Sequence, residues 1–212
     1  EVFIRGARSV LSTVAEIELS GNSGEWVKVS CSVKALETQM GRLVIIFKGN
    51  GHIGVDCVSL LPSKVWGDPD KYRNGKLSPR IVKVLKDCHP SFFRFPGGCV
   101  VEGDEIFDNM YKWRNTVGAL EERRQIANTW GYMQSYGVGF YEYFALCEDL
   151  KMTPLPVLHC GLLCQIRVGE QRGEGYRRIM PGTKEFKHEV IDNVADLLFF
   201  ALGSADSEDE NE

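Results

Sequence analysis

The chain has 212 residues, of which 43% are hydrophobic, 25% charged and 10% aromatic, which is typical of a folded globular protein. The formal net charge is -4 and the basic residues are dispersed among acidic ones, which excludes the basic surface of a nucleic-acid-binding protein. The apolar runs, such as residues 43–47 and 197–202, are much shorter than the roughly 20 residues that cross a bilayer. We therefore predict no nucleic-acid partner and no membrane span.

The chain begins with Glu1 instead of methionine, and its first residues lack the basic-then-apolar pattern of a signal peptide. We therefore expect a piece of a longer protein or a processed form. Seven cysteines are scattered along the chain without the spacing of a disulfide-stapled domain, so they leave the redox compartment open.

Residues 1–61 are predicted to form β-structure. Several segments are rich in β-branched and aromatic residues, and Gly- and Asn-containing turns separate them. This pattern favours an antiparallel sheet that forms a sandwich or part of one. The predicted strands are Ser12–Leu19, Glu25–Val33, Arg42–Lys48 and Asp56–Leu61.

Residues 49–54 read Gly-Asn-Gly-His-Ile-Gly and match the glycine pattern of dinucleotide-binding turns, with Asp68 and Asp70 following at a suitable distance. In such sites the third glycine opens a helix whose N-terminus holds the pyrophosphate. Here Gly54 begins a β-like run that ends at Pro62, so no helix is expected there. We therefore predict no nucleotide site and no cofactor.

The pattern changes to alternating helices and strands after a loop over residues 63–76. A helix over residues 80–89 precedes a strand over residues 92–95, and a helix over 139–150 precedes a strand over 154–158. Two successive units of this kind predict a parallel α/β sheet, either open or closed into a barrel. The long segment between the units, residues 99–138, is of a length that is usually functional.

One more helix is predicted over residues 184–202, and no strand follows it in the sequence. The chain instead ends in an acidic run over residues 204–212, which we expect to be solvated and disordered.

Arg94 lies within an aromatic strand that a Pro-Gly-Gly turn ends, so the strand is predicted to carry a charged side chain to the end of the sheet. Burying a guanidinium is costly unless acceptors surround it. The residues alone leave two interpretations open: a buried ion pair, or an arginine that belongs to a binding site.

Five motifs follow one another between residue 56 and about residue 161. They are Asp56-x-Val58-Ser59-Leu60-x-Pro62, Leu85-Lys86 with Pro90-Ser91-Phe92-x-Arg94-Phe95-Pro96-Gly97-Gly98, Tyr111-Lys112-Trp113-Arg114-Asn115-Thr116-Val117-Gly118 with Glu121-Glu122-Arg123, Trp130-Gly131-Tyr132 with Gly139-Phe140-Tyr141-Glu142-Tyr143-Phe144 and Cys147-Glu148-Asp149-Leu150, and Pro154-Leu155-Pro156-Val157. Together they resemble glycoside hydrolase family 51, the α-L-arabinofuranosidases.

The resemblance implies a partial (β/α)8 barrel preceded by part of an antiparallel β-sandwich of carbohydrate-binding type. On this template residues 1–61 belong to the sandwich and residues 62–203 to the N-terminal part of the barrel, with residues 204–212 as the acidic tail. Because barrel active sites lie at the C-terminal ends of the strands, the resemblance implies that Arg94 binds substrate. It places Cys99 in the substrate pocket, where many members carry asparagine; the alternative for Cys99 is a small buried residue without a reactive role.

The resemblance also implies an activity, namely retaining hydrolysis of terminal α-L-arabinofuranosyl residues by two glutamates, in a secreted enzyme that acts on arabinose-containing polysaccharides. The strands that carry those glutamates are not recognisable here, so we expect both to lie beyond Glu212 and the chain by itself to be inactive. Glu212 follows an asparagine, but no apolar strand precedes it and it is not assigned a role. The alternatives are a non-catalytic carbohydrate-binding protein and a decayed α/β scaffold.

Other polar and aromatic candidates have a structural and a functional interpretation each. Glu142 either interacts favourably with the positive N-terminal end of its helix or supports the site. The acidic residues Glu102, Asp104 and Glu105 either partner Arg94 or form a solvated loop. Trp113 and Trp130 either stack on sugar or pack in the core.

The remaining candidate is a group of soft metal ligands. It comprises His159, Cys147, Cys160 and Cys164, whose spacing matches no standard zinc pattern. We therefore predict no metal site.

Overall fold

A computed structural model describes residues 2–6, 11–15, 25–35, 38, 40–67, 77–103, 109–128, 130–164 and 179–203. The acidic tail, Asp68, Asp70, Asp104 and Glu105 lie outside these ranges. The chain divides into two compact units, Glu1–Asp56 and Cys57–Glu212.

The first unit contains an antiparallel sheet of three strands, β1 (Val2–Gly6), β2 (Leu11–Ala15) and β3 (Gly41–Ile45). Strand β1 lies in the centre and pairs with both others, with Val2 opposite Ala15 on one side and Ile45 on the other. The predicted antiparallel sheet is thus confirmed for the segments that overlap β2 and β3. Part of the first predicted strand, residues 16–19, lies outside the described residues.

The predictions of strands at Glu25–Val33 and Asp56–Leu61 are wrong, because both segments are irregular. Trp26 and Val27 are 77% and 69% exposed. A β-rich composition becomes a strand only where a second strand accepts its backbone hydrogen bonds. Neither segment has such a partner within the described ranges.

The glycine motif at residues 49–54 is followed by irregular backbone, so the predicted absence of a helix over residues 55–62, all of which are described, is confirmed. A Cβ atom added at Gly54 would lie 3.2 Å from the ring of Trp26, which packs against this position. The turn therefore carries an aromatic ring where a dinucleotide site would present a helix N-terminus.

Among the described residues of the second unit, helix α1 (Pro79–Cys88) is the first regular element, followed by strand β4 (Phe92–Phe95) and a short helix α2 (Cys99–Glu102). A 3-10 turn (Trp113–Thr116) and a small hairpin of β5 (Ile126–Ala127) and β6 (Met133–Gln134) come next. Helix α3 (Phe140–Leu150) then leads to strand β7 (Thr153–Pro156). Both predicted helix-then-strand units are confirmed.

Strands β4 and β7 pair in parallel, with Arg94 opposite Leu155 and Phe95 opposite Pro156. The Val157 N–H extends the ladder by donating to the Phe95 carbonyl at 2.7 Å. The predicted parallel α/β sheet is therefore present as two strands among the described residues. Since the pairing is parallel, the segments that follow β4 and β7 leave the sheet at the same end.

The core of this unit is aromatic and centres on Phe95, which is 2% exposed. Its ring lies 4.8 Å from the ring of Tyr143, 5.3 Å from Phe140 and 5.5 Å from Phe144, all on α3. These positions share one helix face because they follow i, i+3 and i+4 spacing. Packing of α3 on β4 is what brings the two helix-then-strand units together.

The predicted helix over residues 184–202 is confirmed, although it is not uniform. It consists of α4 (Lys184–Phe186), a π-helical stretch (Lys187–Asp192) and α5 (Asn193–Leu202). The Thr183 hydroxyl caps its start by accepting from the Phe186 N–H at 3.1 Å. The Trp113 indole donates to the Asn193 carbonyl at 3.1 Å, which anchors this helix to the core. No helix within the described ranges is long and apolar enough to cross a membrane.

Gly139 allows the backbone before α3 to approach the 3-10 turn. The Phe140 N–H donates to the Thr116 hydroxyl at 3.0 Å, and that hydroxyl donates to the Trp113 carbonyl at 2.7 Å. A Cβ atom at Gly139 would overlap the Thr116 carbonyl oxygen and lie 2.7 Å from the Thr116 Cβ. Glycine is thus required here by close contact between two backbone segments.

We expect Gly139→Ala to lower the free energy of unfolding by about 2–3 kcal/mol, because backbone must move to admit the methyl group. Gly137→Ala is the matched control, since its added Cβ would lie 3.7 Å from the Ser135 hydroxyl and it should change stability by less than about 1 kcal/mol. Urea unfolding of both variants tests this. Equal stabilities would show that the close approach at Gly139 is wrong.

Candidate functional site

Arg94 lies on β4, one residue before the strand ends, and its side chain is exposed. A Cβ atom added at Gly98 would lie 3.9 Å from Nη2 of Arg94, so the guanidinium lies beside the glycine turn. Within the described ranges it has no ion-pair or hydrogen-bond partner. Because the Arg94 side chain is exposed, its interpretation as a member of a buried ion pair is wrong.

The turn after β4 connects Arg94 to Cys99. The Phe95–Pro96 peptide bond is cis and Gly97 has a φ of 137°, a conformation that side chains rarely adopt. Helix α2 then starts at Cys99, and the Gly103 N–H donates to the Cys99 carbonyl at 3.1 Å. Cys99 is half-buried, so its thiol sits at the edge of the turn and not in the core.

Cys99 lies close to Glu102 and Cys164. The two Sγ atoms and a Glu102 carboxylate oxygen all lie within 4.8 Å of one another. A hydrogen bond with Cys164 raises the pKa of the Cys99 thiol above its usual value, and the Glu102 charge raises this pKa further. Of the four soft metal ligands considered from the sequence, Cys164 belongs to this group, whereas His159, Cys147 and Cys160 do not.

Glu142 is buried and paired with a residue that sequence analysis did not single out for it, Arg123. The Arg123 guanidinium donates to the two Glu142 carboxylate oxygens at 2.8 and 3.1 Å, and both side chains are at most 2% exposed. The Gly139 N–H donates to the same carboxylate at 2.7 Å, and Arg123 also donates to the Gly118 and Tyr136 carbonyls. With its oxygens occupied in this way, Glu142 holds loops together and is not placed to act on a substrate.

The two tryptophan candidates differ. Trp113 is 3% exposed and packs 5.2 Å from the ring of Phe200, so it belongs to the core and the sugar-stacking interpretation is wrong for it. Trp130 is 49% exposed, so it is not part of the core. For this residue the sugar-stacking interpretation stays a prediction.

His159 follows β7 and is buried, with a 3% exposed side chain. Its ring nitrogens have no hydrogen-bond partner in the part of the chain that the structure describes. Burial lowers the pKa of this imidazole, the Lys112 charge lowers it further and the Glu189 charge opposes the change. Lys112 and Glu189 are themselves paired at 2.9 Å. The ring is therefore neutral in the folded protein at pH 7.

Comparison with known families assigns the second unit. The sequence model of the Alpha-L-arabinofuranosidase 1 domain matches residues 84–212, which is more than half of the chain. This chain belongs to the α-L-arabinofuranosidase family. The resemblance that its motifs carry is thereby confirmed.

Two individual relatives are similar over at least 90% of this chain, and a related structure over 56% of it. An extracellular exo-α-L-arabinofuranosidase of Streptomyces chartreusis is 33% identical over 97% of this chain and 24% of its own length. Alpha-L-arabinofuranosidase 2 of Arabidopsis thaliana is 32% identical over 90% of this chain and 26% of its own length. An arabinose-bound family 51 α-L-arabinofuranosidase structure has 29% identity and a TM-score of 0.47, and covers 56% of this chain and 17% of that one. The chain thus spans about a quarter of the length of the Streptomyces and Arabidopsis relatives.

We expect Arg123→Met to lower the free energy of unfolding by about 3–5 kcal/mol, because it leaves the Glu142 carboxylate buried without a countercharge. Lys83→Met is the matched control, since Lys83 and Asp87 form an exposed pair on α1 whose side chains are 74% and 61% exposed. It should cost less than about 0.5 kcal/mol. If denaturant unfolding gave the two variants the same free energy of unfolding, the buried ion pair of Arg123 and Glu142 would be contradicted.

Stability should also fall as the pH drops from 7 to 5.5. The unfolded chain takes up a proton on His159 below its ordinary pKa of 6.5, whereas the folded protein, in which that pKa is lowered, does not. The contribution of neutral His159 to stability is therefore present above pH 6.5 and declines as the pH falls below that value. The Glu189 carboxyl, whose pKa is lowered below 4.5 first by its hydrogen bond with Lys112, does not titrate in this window.

This decline should be smaller in His159→Leu than in the wild type, measured by denaturant unfolding at several pH values. His188→Gln is the control, because His188 is exposed with a side-chain exposure of 79%, and it should keep the wild-type slope. An unchanged slope in His159→Leu would show that the buried imidazole is not responsible.

Proposed function

We propose that this chain is the early part of an α-L-arabinofuranosidase that hydrolyses terminal α-L-arabinofuranosyl residues of arabinose-containing polysaccharides. Family membership supports the reaction class. The observation that carries the site is the exposed Arg94 guanidinium, which lies without a protein partner in the described ranges beside the glycine turn. An exposed arginine at the C-terminal end of a parallel strand is positioned to bind a ligand.

On this proposal the second unit is the N-terminal part of a (β/α)8 barrel, over residues 62–203, with β4 and β7 as neighbouring barrel strands. Phe92 and Leu155, on β4 and β7, are 58% and 48% exposed. Further strands and helices of a barrel would pair with the sheet edges and cover such apolar side chains. Residues 1–61 are proposed to belong to a partial β-sandwich of carbohydrate-binding type, supported by the antiparallel sheet of β1, β2 and β3.

Arg94 and Cys99 are the proposed substrate-binding residues. The Arg94 guanidinium carries several N–H donors in a fixed planar arrangement, which suits two neighbouring hydroxyl oxygens of a sugar. Cys99 starts α2 directly after the turn, and its half-buried thiol would present a small, weakly polar surface to the bound sugar. Both residues therefore bind and orient the sugar and do not take part in bond cleavage.

The chemistry of a retaining glycosidase requires one carboxylic acid that protonates the leaving oxygen and one carboxylate that attacks the anomeric carbon, about 5 Å apart. Glu142 is occupied by Arg123 and the Gly139 N–H, so it supplies neither group. We propose that both glutamates lie beyond Glu212. This chain matches only 24% of the length of the Streptomyces relative, so most of that relative, which is long enough to contain both glutamates, lies outside the matched part.

The Streptomyces relative is named extracellular, and this supports secretion of the whole enzyme.

The first test compares hydrolysis of p-nitrophenyl α-L-arabinofuranoside by the 212-residue chain and by the protein extended to the length of its relatives. We expect activity in the extended protein alone. Activity of the short chain would show that the placement of the glutamates is wrong. Inactivity of both, with arabinose-polysaccharide binding retained, would favour a non-catalytic carbohydrate-binding protein, and loss of binding too would favour a decayed scaffold.

The second test replaces Arg94 in the extended protein. Hydrogen bonds from a charged group contribute about 1.5–3 kcal/mol, so Arg94→Ala should lower kcat/KM by about 10- to 100-fold. Arg94→Lys should recover only part of this, because it keeps the charge and loses the planar pair of donors. Arg80→Ala, at an exposed arginine on α1, should leave kcat/KM unchanged. An Arg94→Ala enzyme with wild-type kcat/KM and wild-type arabinose binding would contradict the assignment.

A further inference from the structure

The group formed by Cys99, Glu102 and Cys164 combines three residues from two distant parts of the chain. Cys99 and Glu102 are the first and last residues of α2, which follows β4, and Cys164 follows β7. Cys164 is 1% exposed, and the other two are half-buried. The three ligand atoms lie within 4.8 Å of one another. Exposed acidic clusters are common on protein surfaces, whereas this group contains two sulfurs, one of which is buried.

The spacing suits a tetrahedral thiophilic cation. Zinc binds thiolate sulfur at about 2.3 Å and carboxylate oxygen at about 2.0–2.2 Å, so two sulfurs on one tetrahedral zinc ion are about 3.8 Å apart. Sulfurs and an oxygen that already lie within 4.8 Å reach this geometry through a change of about 1 Å or less, which side-chain rotation can supply. Two thiolates and one carboxylate form a donor set that zinc accepts and that magnesium and calcium do not favour.

We propose that Cys99, Glu102 and Cys164 bind one thiophilic divalent cation of the zinc type. Three protein ligands leave the fourth position of a tetrahedral ion open to water or another small ligand. Two thiolates and a carboxylate carry three negative charges, so the bound ion leaves the group with a net charge of -1.

The test uses cobalt(II) as a spectroscopic probe, added to the reduced, metal-free full chain. One equivalent should produce a thiolate-to-cobalt charge-transfer band in the near ultraviolet, and zinc should displace it. Cys164→Ser and Cys99→Ser should abolish the band. Glu102→Gln should keep a weaker band and lower the affinity by at least about tenfold, since even the loss of an outer hydrogen-bond partner of a metal site costs this much.

Two exposed cysteines provide matched controls. Cys88→Ser, on α1, and Cys160→Ser, four residues before Cys164, should both bind cobalt as the wild type does. Thermal unfolding of each metal-free variant identifies any that fails to fold. If a cysteine variant fails, the cobalt affinity of Glu102→Gln, a change at a half-buried position, tests the proposal in its place. The proposal is overturned if the wild type gives no thiolate band, or if the band persists in Cys164→Ser or disappears in Cys160→Ser.

The metal assay does not depend on sugar cleavage, so it can fail or succeed separately from the proposed function. Where the sugar-binding role of Arg94 and Cys99 also holds, an ion at Cys99 obstructs the same turn. Zinc should then inhibit arabinofuranoside hydrolysis by the extended protein, with half-inhibition near the zinc affinity measured by cobalt displacement. Zinc binding without inhibition would leave the metal site standing and would contradict the placement of Cys99 in the sugar pocket.

Discussion

The parallel pairing of β4 with β7 is the constraint on which the second unit depends. Its register places Phe92 opposite Thr153 and Phe95 opposite Pro156, and the Thr153 N–H already donates to the Ser91 carbonyl at 2.9 Å. Parallel strands end on the same side of a sheet. Residues that leave β4 and β7 therefore come together, although about 60 positions separate them in the sequence. The Arg94 turn and the Cys99–Glu102–Cys164 group both follow from this one arrangement.

A second constraint fixes the long connection between β4 and α3. Arg123 in this connection forms a buried ion pair with Glu142 on α3, and Gly139 brings the backbone against Thr116. A buried ion pair contributes little net stability as a pair, but the loss of one partner is costly. Its effect is therefore to fix one conformation of the connection. The length of segment 99–138 predicts a functional loop. Its described residues show that much of the segment stabilises the fold.

In the second unit, Arg123 and Arg94 differ in whether other residues of the chain surround their charge. The Arg123 guanidinium is satisfied by the Glu142 carboxylate and two backbone carbonyls, whereas the Arg94 guanidinium is exposed beside the glycine turn. Two arginines of the same family motifs thus have opposite environments. In the proposed enzyme, the first holds the barrel connection in place and the second binds the sugar.

Local sequence patterns are enough to predict the helices and strands of the second unit and the family. Helices α1 and α3 and strands β4 and β7 lie within two residues of their predicted bounds, because apolar periodicity and Gly and Pro punctuation act over a few neighbouring residues. The strand predictions at Glu25–Val33 and Asp56–Leu61 failed for the complementary reason: a strand requires a partner, which local composition does not report. The folded chain alone shows that Glu142 pairs with Arg123, that Arg94 is exposed, and that Cys164 lies close to Cys99 and Glu102. Those contacts join residues that are distant in the chain, so they arise from strand pairing and helix packing and from no pattern within a segment.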